Sequence, residues 1–247
     1  MAIWIGTSGW SYAHWTGVLY PPRLPVGQRL ARYVERFQTV ELNASHYRWP
    51  NDAAFTSWQR RLPDGFVLSV KAPRGLTHAR RLKEPEEWIA RMTRGLECLG
   101  PRRGVLLAQL PPTMPYDHDR LACFLSCVPR DVRLCMEFRH PSWHHEDTFA
   151  LLEQHGAAYC VMSGVQLPCV LRATTDFVYL RLHGPDGHRM YDGSYSDADM
   201  QWWADRIAEW QATGRDVFAY FNNDIGGHAV RNALTLQGMV GLVRKMA

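Results

Sequence analysis

The feature that most constrains this chain is an alternation. Short apolar, β-branched runs give way again and again to segments with helical spacing. The strand-like runs are Ile3–Gly6, Thr39–Asn43, Phe66–Lys71, Gly104–Gln109, Arg133–Phe138, Ala157–Met162, Phe177–Leu182 and Asp216–Phe221. Helical patterns fall near Gln28–Phe37, Asp52–Arg61, Pro85–Leu99, Asp117–Cys127, Glu146–His155 and Asp197–Thr213, and from Gly227 to the end. The third opens with a proline and two glutamates, as helix starts prefer. In the sixth, Trp203, Ile207 and Trp210 share one face. Strands alternating with helices predict a parallel sheet with crossover connections. Eight such units in 247 residues predict a single-domain α/β fold over residues 1–247, a (β/α)8 barrel. The link between the sixth and seventh strands is short and contains Pro168, so helix 6 is expected to be short or missing. A doubly wound open sheet is the alternative. It should carry a glycine-rich phosphate fingerprint after the first strand, which Gly6-Thr7-Ser8-Gly9 only approximates.

The polar residues crowd the C-terminal ends of these strands. Ser8 and Trp10 follow the first, with Tyr12 just beyond. Glu41 and Asn43 end the second, Lys71 the third, Gln109 the fourth, and Glu137 and Arg139 the fifth. Arg181 and His183 end the seventh, and Asn222, Asn223 and Asp224 the eighth. The opposite ends are mostly Ile, Val and Leu. Residues two apart on a strand share a side, so Glu41/Asn43, Glu137/Arg139 and Arg181/His183 each face one way together. Burying such groups against apolar helices costs several kcal/mol each, of order 2–7 without partners. The rim of a barrel, where barrel enzymes hold their active sites, costs less. The structural alternative is internal ion pairing, Glu41 with Lys71 or Glu137 with Arg139 or Arg181.

Charge sharpens this reading. Lys and Arg number 28 against 24 Asp and Glu, a formal +4, too small an excess to mark a nucleic-acid binder. Yet Gly65 to Lys83 holds no acidic residue and carries Lys71, Arg74, Arg80, Arg81 and Lys83. Such a basic stretch is either a solvated loop or a place for an anion. Aromatic residues flank the same loops, among them Tyr47, Trp49, Tyr191 and Tyr195, and the Gly- and Asp-rich stretch His183–Asp197 is a candidate lid. The six cysteines form no CxxC pair and sit mostly in apolar contexts, so they are expected to be small buried hydrophobes in a reducing compartment. The N-terminus has neither a basic segment nor a long apolar run, and no stretch approaches a membrane span. A cytoplasmic protein is expected.

The motifs at the strand ends, taken together, resemble the DUF72 (YecE-like) family. They are Gly6-Thr7-Ser8-Gly9-Trp10-Ser11-Tyr12, Thr39-Val40-Glu41-Leu42-Asn43, Ser69-Val70-Lys71-Ala72-Pro73 and Leu76-Thr77-His78. Further on come Gln109-Leu110-Pro111-Pro112, Glu137-Phe138-Arg139-His140 with Trp143, Tyr179-Leu180-Arg181-Leu182-His183-Gly184, Tyr195-Ser196-Asp197 and Tyr220-Phe221-Asn222-Asn223-Asp224. They run in order along almost the whole chain. The resemblance implies a TIM barrel and little about activity. Where many relatives carry an aspartate after the sixth strand, this chain reads Met162-Ser163-Gly164.

The expected function is catalysis, of hydrolase or lyase type, on a phosphorylated or other anionic substrate at the strands' C-terminal ends. Glu41, Lys71, Glu137 and His183 are the candidate catalytic residues. Ser8, Trp10, Tyr12, Asn43, Arg74, His78, Gln109, Arg139, Arg181, Tyr195, Asn222, Asn223 and Asp224 are the candidate substrate contacts. The partner is then an anionic small molecule. The alternative is a nucleic-acid-binding protein or an endonuclease IV-like phosphodiesterase. No cofactor motif is present, and no metal ligands are assigned. One divalent ion on Glu41, Glu137, His183 and Asp224 is the less favoured arrangement, because Lys71, Arg139 and Arg181 would oppose it. A Schiff-base role for Lys71 and a glycosidase pairing of Glu41 with Glu137 are weaker alternatives.

Overall fold

The computed structural model describes residues 1–242. Its strands are β1 (Ile3–Thr7), β2 (Thr39–Leu42), β3 (Val67–Lys71), β4 (Arg103–Gln109), β5 (Leu134–Glu137), β6 (Ala158–Ser163), β7 (Phe177–Leu182) and β8 (Asp216–Phe221). Its helices are α1 (Arg29–Tyr33), α2 (Asp52–Arg61), α3 (Glu86–Glu97), α4 (His118–Cys127), α5 (Glu146–His155), α6 (Asp197–Ala212) and α7 (His228–Met239). The strands form one sheet of eight in the order β1-β8-β7-β6-β5-β4-β3-β2. The two strands at the ends of that order meet where Ser8 and Glu41 form a parallel bridge and Gly9 N donates to Glu41 O at 2.8 Å. This cyclic order is the connectivity of a (β/α)8 barrel, the fold the alternation predicts.

By packing, the chain divides into two compact units, residues 1–41, 162–169 and 180–247 in the first and residues 42–161 and 170–179 in the second. In the first unit β1 lies parallel to β8, with Ile3 opposite Val217 and Thr7 opposite Phe221. Trp4 stacks on Phe218 at 4.4 Å. Ser196 and Asp199 close a reciprocal capping box at the start of α6, which supplies two of the N–H groups a helix start leaves without partners. In the second unit β3, β4, β5 and β6 pair in parallel. The register shifts between Leu68 and Val70, and there Gly104 runs so close that a Cβ would stand 2.8 Å from Leu68 O. Asn51 caps α2 through Ala54 N at 2.9 Å, and Asp117 caps α4 through Arg120 N at 3.1 Å.

No helix interrupts the chain between β6 and β7, in keeping with the short link. Thr174 instead ties this connection to the start of β6, accepting from Tyr159 N at 2.8 Å and donating to Ala157 O at 2.7 Å. Two expectations are corrected. The helix expected over Gln28–Phe37 is α1 alone, with a 3-10 turn at Val26–Gln28 before it. The cysteines are not mostly buried: Cys135 and Cys160 are, while Cys123 and Cys169 are exposed. The α4 residues turned inward are Leu121, Phe124 and Leu125, and the helical period leaves Cys123 on the other face. Cys169 lies in the irregular link. The last helix ends at Met239, and the part of that expectation beyond residue 242 falls outside the described residues. No described helix is long and apolar enough to cross a membrane.

Candidate functional site

The candidate residues fall into two groups, one in each unit. In the first unit, Glu41 of β2 and Arg181 of β7 form a two-pronged ion pair. Arg181 Nε donates to Glu41 Oε2 at 3.0 Å and Nη2 to Oε1 at 2.7 Å. Ser8 Oγ adds a hydrogen bond to Oε1 at 2.5 Å. All three residues are 0% exposed. The sequence offered Lys71 as an ion-pair partner for Glu41, and Arg139 or Arg181 for Glu137, with Arg181 otherwise a substrate contact. The fork of Arg181 grips Glu41, because a planar guanidinium matches a carboxylate edge to edge.

Beyond this pair, Asn222 Nδ2 lies 3.1 Å from His183 Nδ1, which fixes the ring of the buried His183. The Tyr195 hydroxyl accepts from Gly184 N at 3.1 Å and donates to Ser163 Oγ at 3.1 Å, and burial pushes its pKa up to about 12. Ser163, the last residue of β6, thus takes part in fixing Tyr195. Asn223 Nδ2 donates to Gly193 O and Asn232 Oδ1, both at 2.9 Å. Tyr12 OH donates to Ser8 O at 2.8 Å, and Trp10 O accepts from Tyr20 OH. Asp224 turns toward the β1–α1 connection: its carboxylate is 3.6 Å from His14, and burial raises its pKa. These residues are anchored mainly to backbone and to one another.

The second unit gathers a different set. Gln109 Nε2 donates to Glu137 Oε1 at 2.8 Å, and Arg139 Nε donates to the same oxygen. Glu137 is 0% exposed and so is oriented from the ends of both β4 and β5. Ser45 donates to Lys71 O at 2.6 Å, and His46 Nδ1 donates to Ala72 O at 2.9 Å, so the turn after β2 is fastened to the end of β3. The His46 ring meets the His78 ring edge-on at 4.9 Å. His78 Nδ1 lies 2.9 Å from Thr77 Oγ1, within the π-type turn Gly75–Ala79. Burial, with help from Lys71, lowers the pKa of His46 to about 4. Burial followed by Lys71 and Arg74 lowers that of His78 as well, Glu137 opposing. Both imidazoles are therefore neutral at pH 7. Asn43 Oδ1 is buried and has no hydrogen-bond partner among the described residues.

Two features escaped the sequence reading. One is the Glu41–Arg181 pairing. The other is His46, whose signal was its place in the polar run Asn43-Ala44-Ser45-His46 directly after a strand. Of the aromatics, Trp15, Tyr20, Trp49, Trp143 and Tyr195 are buried packing groups, whereas Tyr47 and Tyr191 are exposed. Among the described residues no three His, Cys, Asp or Glu side chains converge into a set that could hold a metal ion.

A family model described as "Protein of unknown function DUF72" matches residues 4–247. The chain belongs to the DUF72 family. This DUF72 chain is 29% identical to UPF0759 protein YunF of Bacillus subtilis over 93% of its length and 92% of that protein's. It is 28% identical to UPF0759 protein YecE of Escherichia coli K12 over 57% of its length, spanning half of that protein. Among solved structures it is similar to a DUF72 family protein of Thermotoga maritima, TM1631, with a TM-score of 0.87, 31% identity, and coverage of 98% of this chain and 100% of that one. D-psicose 3-epimerase of Clostridium cellulolyticum, at TM-score 0.53 and 12% identity over 98% and 99% of the two chains, shares the barrel fold with this DUF72 chain.

Proposed function

We propose that the strand-end group of the second unit binds a small phosphorylated or carboxylate-bearing substrate and acts on it by proton transfer, as a hydrolase or lyase. The observation that carries this reading is a fully buried carboxylate, Glu137, aimed by both Gln109 and Arg139 at the strand ends. Lys71, Arg74 and Arg139 bear on the His78 imidazole with Glu137 as the one carboxylate. A cluster richer in cations than carboxylates favours an anion. In this reading Lys71 and Arg74 hold the anion, and the fork of Arg139 both contacts it and orients Glu137. Burial first, and then Lys71 and Arg74, lower the pKa of His78, so it stands unprotonated and able to accept a proton. Glu137, aimed by Gln109 and Arg139, is the second proton carrier. The likeness to a sugar epimerase is one of fold and assigns no sugar. A phosphodiesterase of endonuclease IV type calls for a dense His, Asp and Glu ligand set, which the described residues do not assemble.

Titration calorimetry with inorganic phosphate tests the reading. Arg74 is exposed, so Arg74→Ala leaves the fold alone. Losing one charged hydrogen bond of about 1.5–3 kcal/mol weakens phosphate binding by about 10-fold or more. Wild-type protein that binds neither phosphate nor a dicarboxylate at millimolar concentration overturns it.

A further inference from the structure

Beside this group the second unit contains a cleft of about 740 Å³, lined by the turn after β2, the loop after β3 and helix α3. The size is that of a ligand pocket, commonly about 300–1,000 Å³. Three of its lining residues are arginines, Arg48, Arg74 and Arg91. None of the three has an ion-pair partner among the described residues, whereas Arg94 on the same helix as Arg91 sits 2.8 Å from Asp52. All three are exposed, and the cleft is lined by no acidic side chain. Tyr47 and Trp88 supply aromatic surface to it. Tyr47 is 73% exposed, unusual for a large aromatic ring. Trp88 lies so close to the loop after β3 that a Cβ on Gly75 would stand 2.4 Å from its ring. Only glycine leaves the indole this seat. His46 and Arg74 line the cleft and also belong to the group around Lys71, so one molecule can engage both.

We infer that the cleft seats the aromatic ring of a nucleotide-type ligand, a phosphate ester carrying a planar base, with Tyr47 and Trp88 taking the ring and the arginines its charge. Flat aromatic faces accept any base, and arginine forks accept any phosphate oxygen pair, so the pair of features selects for a molecule bearing both. An anion alone would use the arginines and leave the rings idle. A purely apolar ligand would leave three cations without partners. The inference rests on the anion-binding reading above and names its substrate class.

The test compares four probes by calorimetry and tryptophan quenching: inorganic phosphate, ribose 5-phosphate, AMP and an oligo(dT) of twelve nucleotides. AMP should bind about 10-fold or more tighter than ribose 5-phosphate, the gain expected from stacking one base. Tyr47→Ala and Trp88→Leu should erase that gain and leave ribose 5-phosphate affinity unchanged. Tyr47→Ala is the safeguard, since an exposed ring contributes little to folding. Equal affinity for AMP and ribose 5-phosphate overturns the inference while leaving the anion-binding reading standing. Loss of all phosphate binding would sink that reading first. Oligo(dT) binding far tighter than AMP, with a steep loss in salt, overturns the inference in favour of a polymer track.

Discussion

Two carboxylates, one in each unit, are each fully buried and each held by an arginine, yet they are built differently. Glu41 is gripped by Arg181 from 140 residues away, on two prongs, with Ser8 adding a third bond. Glu137 is held by Arg139, two residues along, and by Gln109. The first arrangement joins distant strands, and its arginine is 0% exposed on the side chain. The second is local, and its arginine keeps 8% of its side-chain surface open. A pair that crosses the sequence acts on folding, because breaking it strands a charge inside the protein. A pair two residues apart at a strand end fixes the aim of a carboxylate while contributing little to which strands meet. The difference separates a fastening from a tool.

The largest effect should come from the fastening. Arg181→Met leaves Glu41 buried without its fork, which costs about 3–5 kcal/mol. For a chain of this size that lowers Tm by on the order of 10 °C, read by calorimetry or circular dichroism. The double variant Glu41→Leu with Arg181→Met should recover most of the loss, because apolar replacements of buried pairs are often neutral. A single Arg181→Met variant as stable as wild type would break the comparison outright. Glu137→Gln, by contrast, keeps the bond from Gln109 and removes one charge beside Arg139. It should act on turnover more than on Tm.

Next in size is a pH effect confined to the second unit. His46 is 7% exposed and its pKa falls from 6.5 to about 4 on folding. Above pH 6.5 both folded and unfolded chains hold it neutral, so its contribution is complete. As pH falls toward 4 the unfolded chain takes the proton and the folded chain refuses it, so stability drops. At about 1.4 kcal/mol per pKa unit, the total is on the order of 3 kcal/mol. His46→Gln should flatten the stability curve between pH 6.5 and 4 relative to wild type. Parallel curves in urea titrations across that window would show that the ring is not held neutral by the fold.

How much of this was readable beforehand follows the same division. The barrel was legible because strand and helix spacing is local, and the Glu137–Arg139 contact was one of two pairings the sequence offered, two residues apart at a strand end. The absent sixth helix was legible from a link too short to hold one. The Glu41–Arg181 pair was not, because a barrel brings together residues whose separation carries no local signal, and Lys71 offered an equally good partner on paper. His46 was missed for another reason. It lies past the end of its strand, where no period assigns a direction, and only the hydrogen bond to Ala72 O turns it inward. Cys123 went wrong because apolar neighbours say nothing about which helical face a residue takes.

The smallest expected effect is also the most discriminating, and it sets two asparagines side by side. Asn223 and Asn43 each bury a side-chain oxygen without a partner. Asn223 is nevertheless anchored through its amide nitrogen to Gly193 and Asn232. Asn43 Oδ1 has no partner among the described residues, and no hydrogen bond among them anchors its amide. A buried polar atom left unsatisfied costs about 1–3 kcal/mol. Asn223→Ala therefore loses two bonds and should destabilise the protein by about 1–2 kcal/mol. Asn43→Ala discards a liability and should leave Tm unchanged or raise it slightly. If Asn43 is kept for a ligand that donates to it, the same variant weakens binding of a hydroxyl-bearing phosphate such as ribose 5-phosphate and spares inorganic phosphate. A marked fall in Tm for Asn43→Ala would make it one more structural residue, and the second unit would then resemble the first.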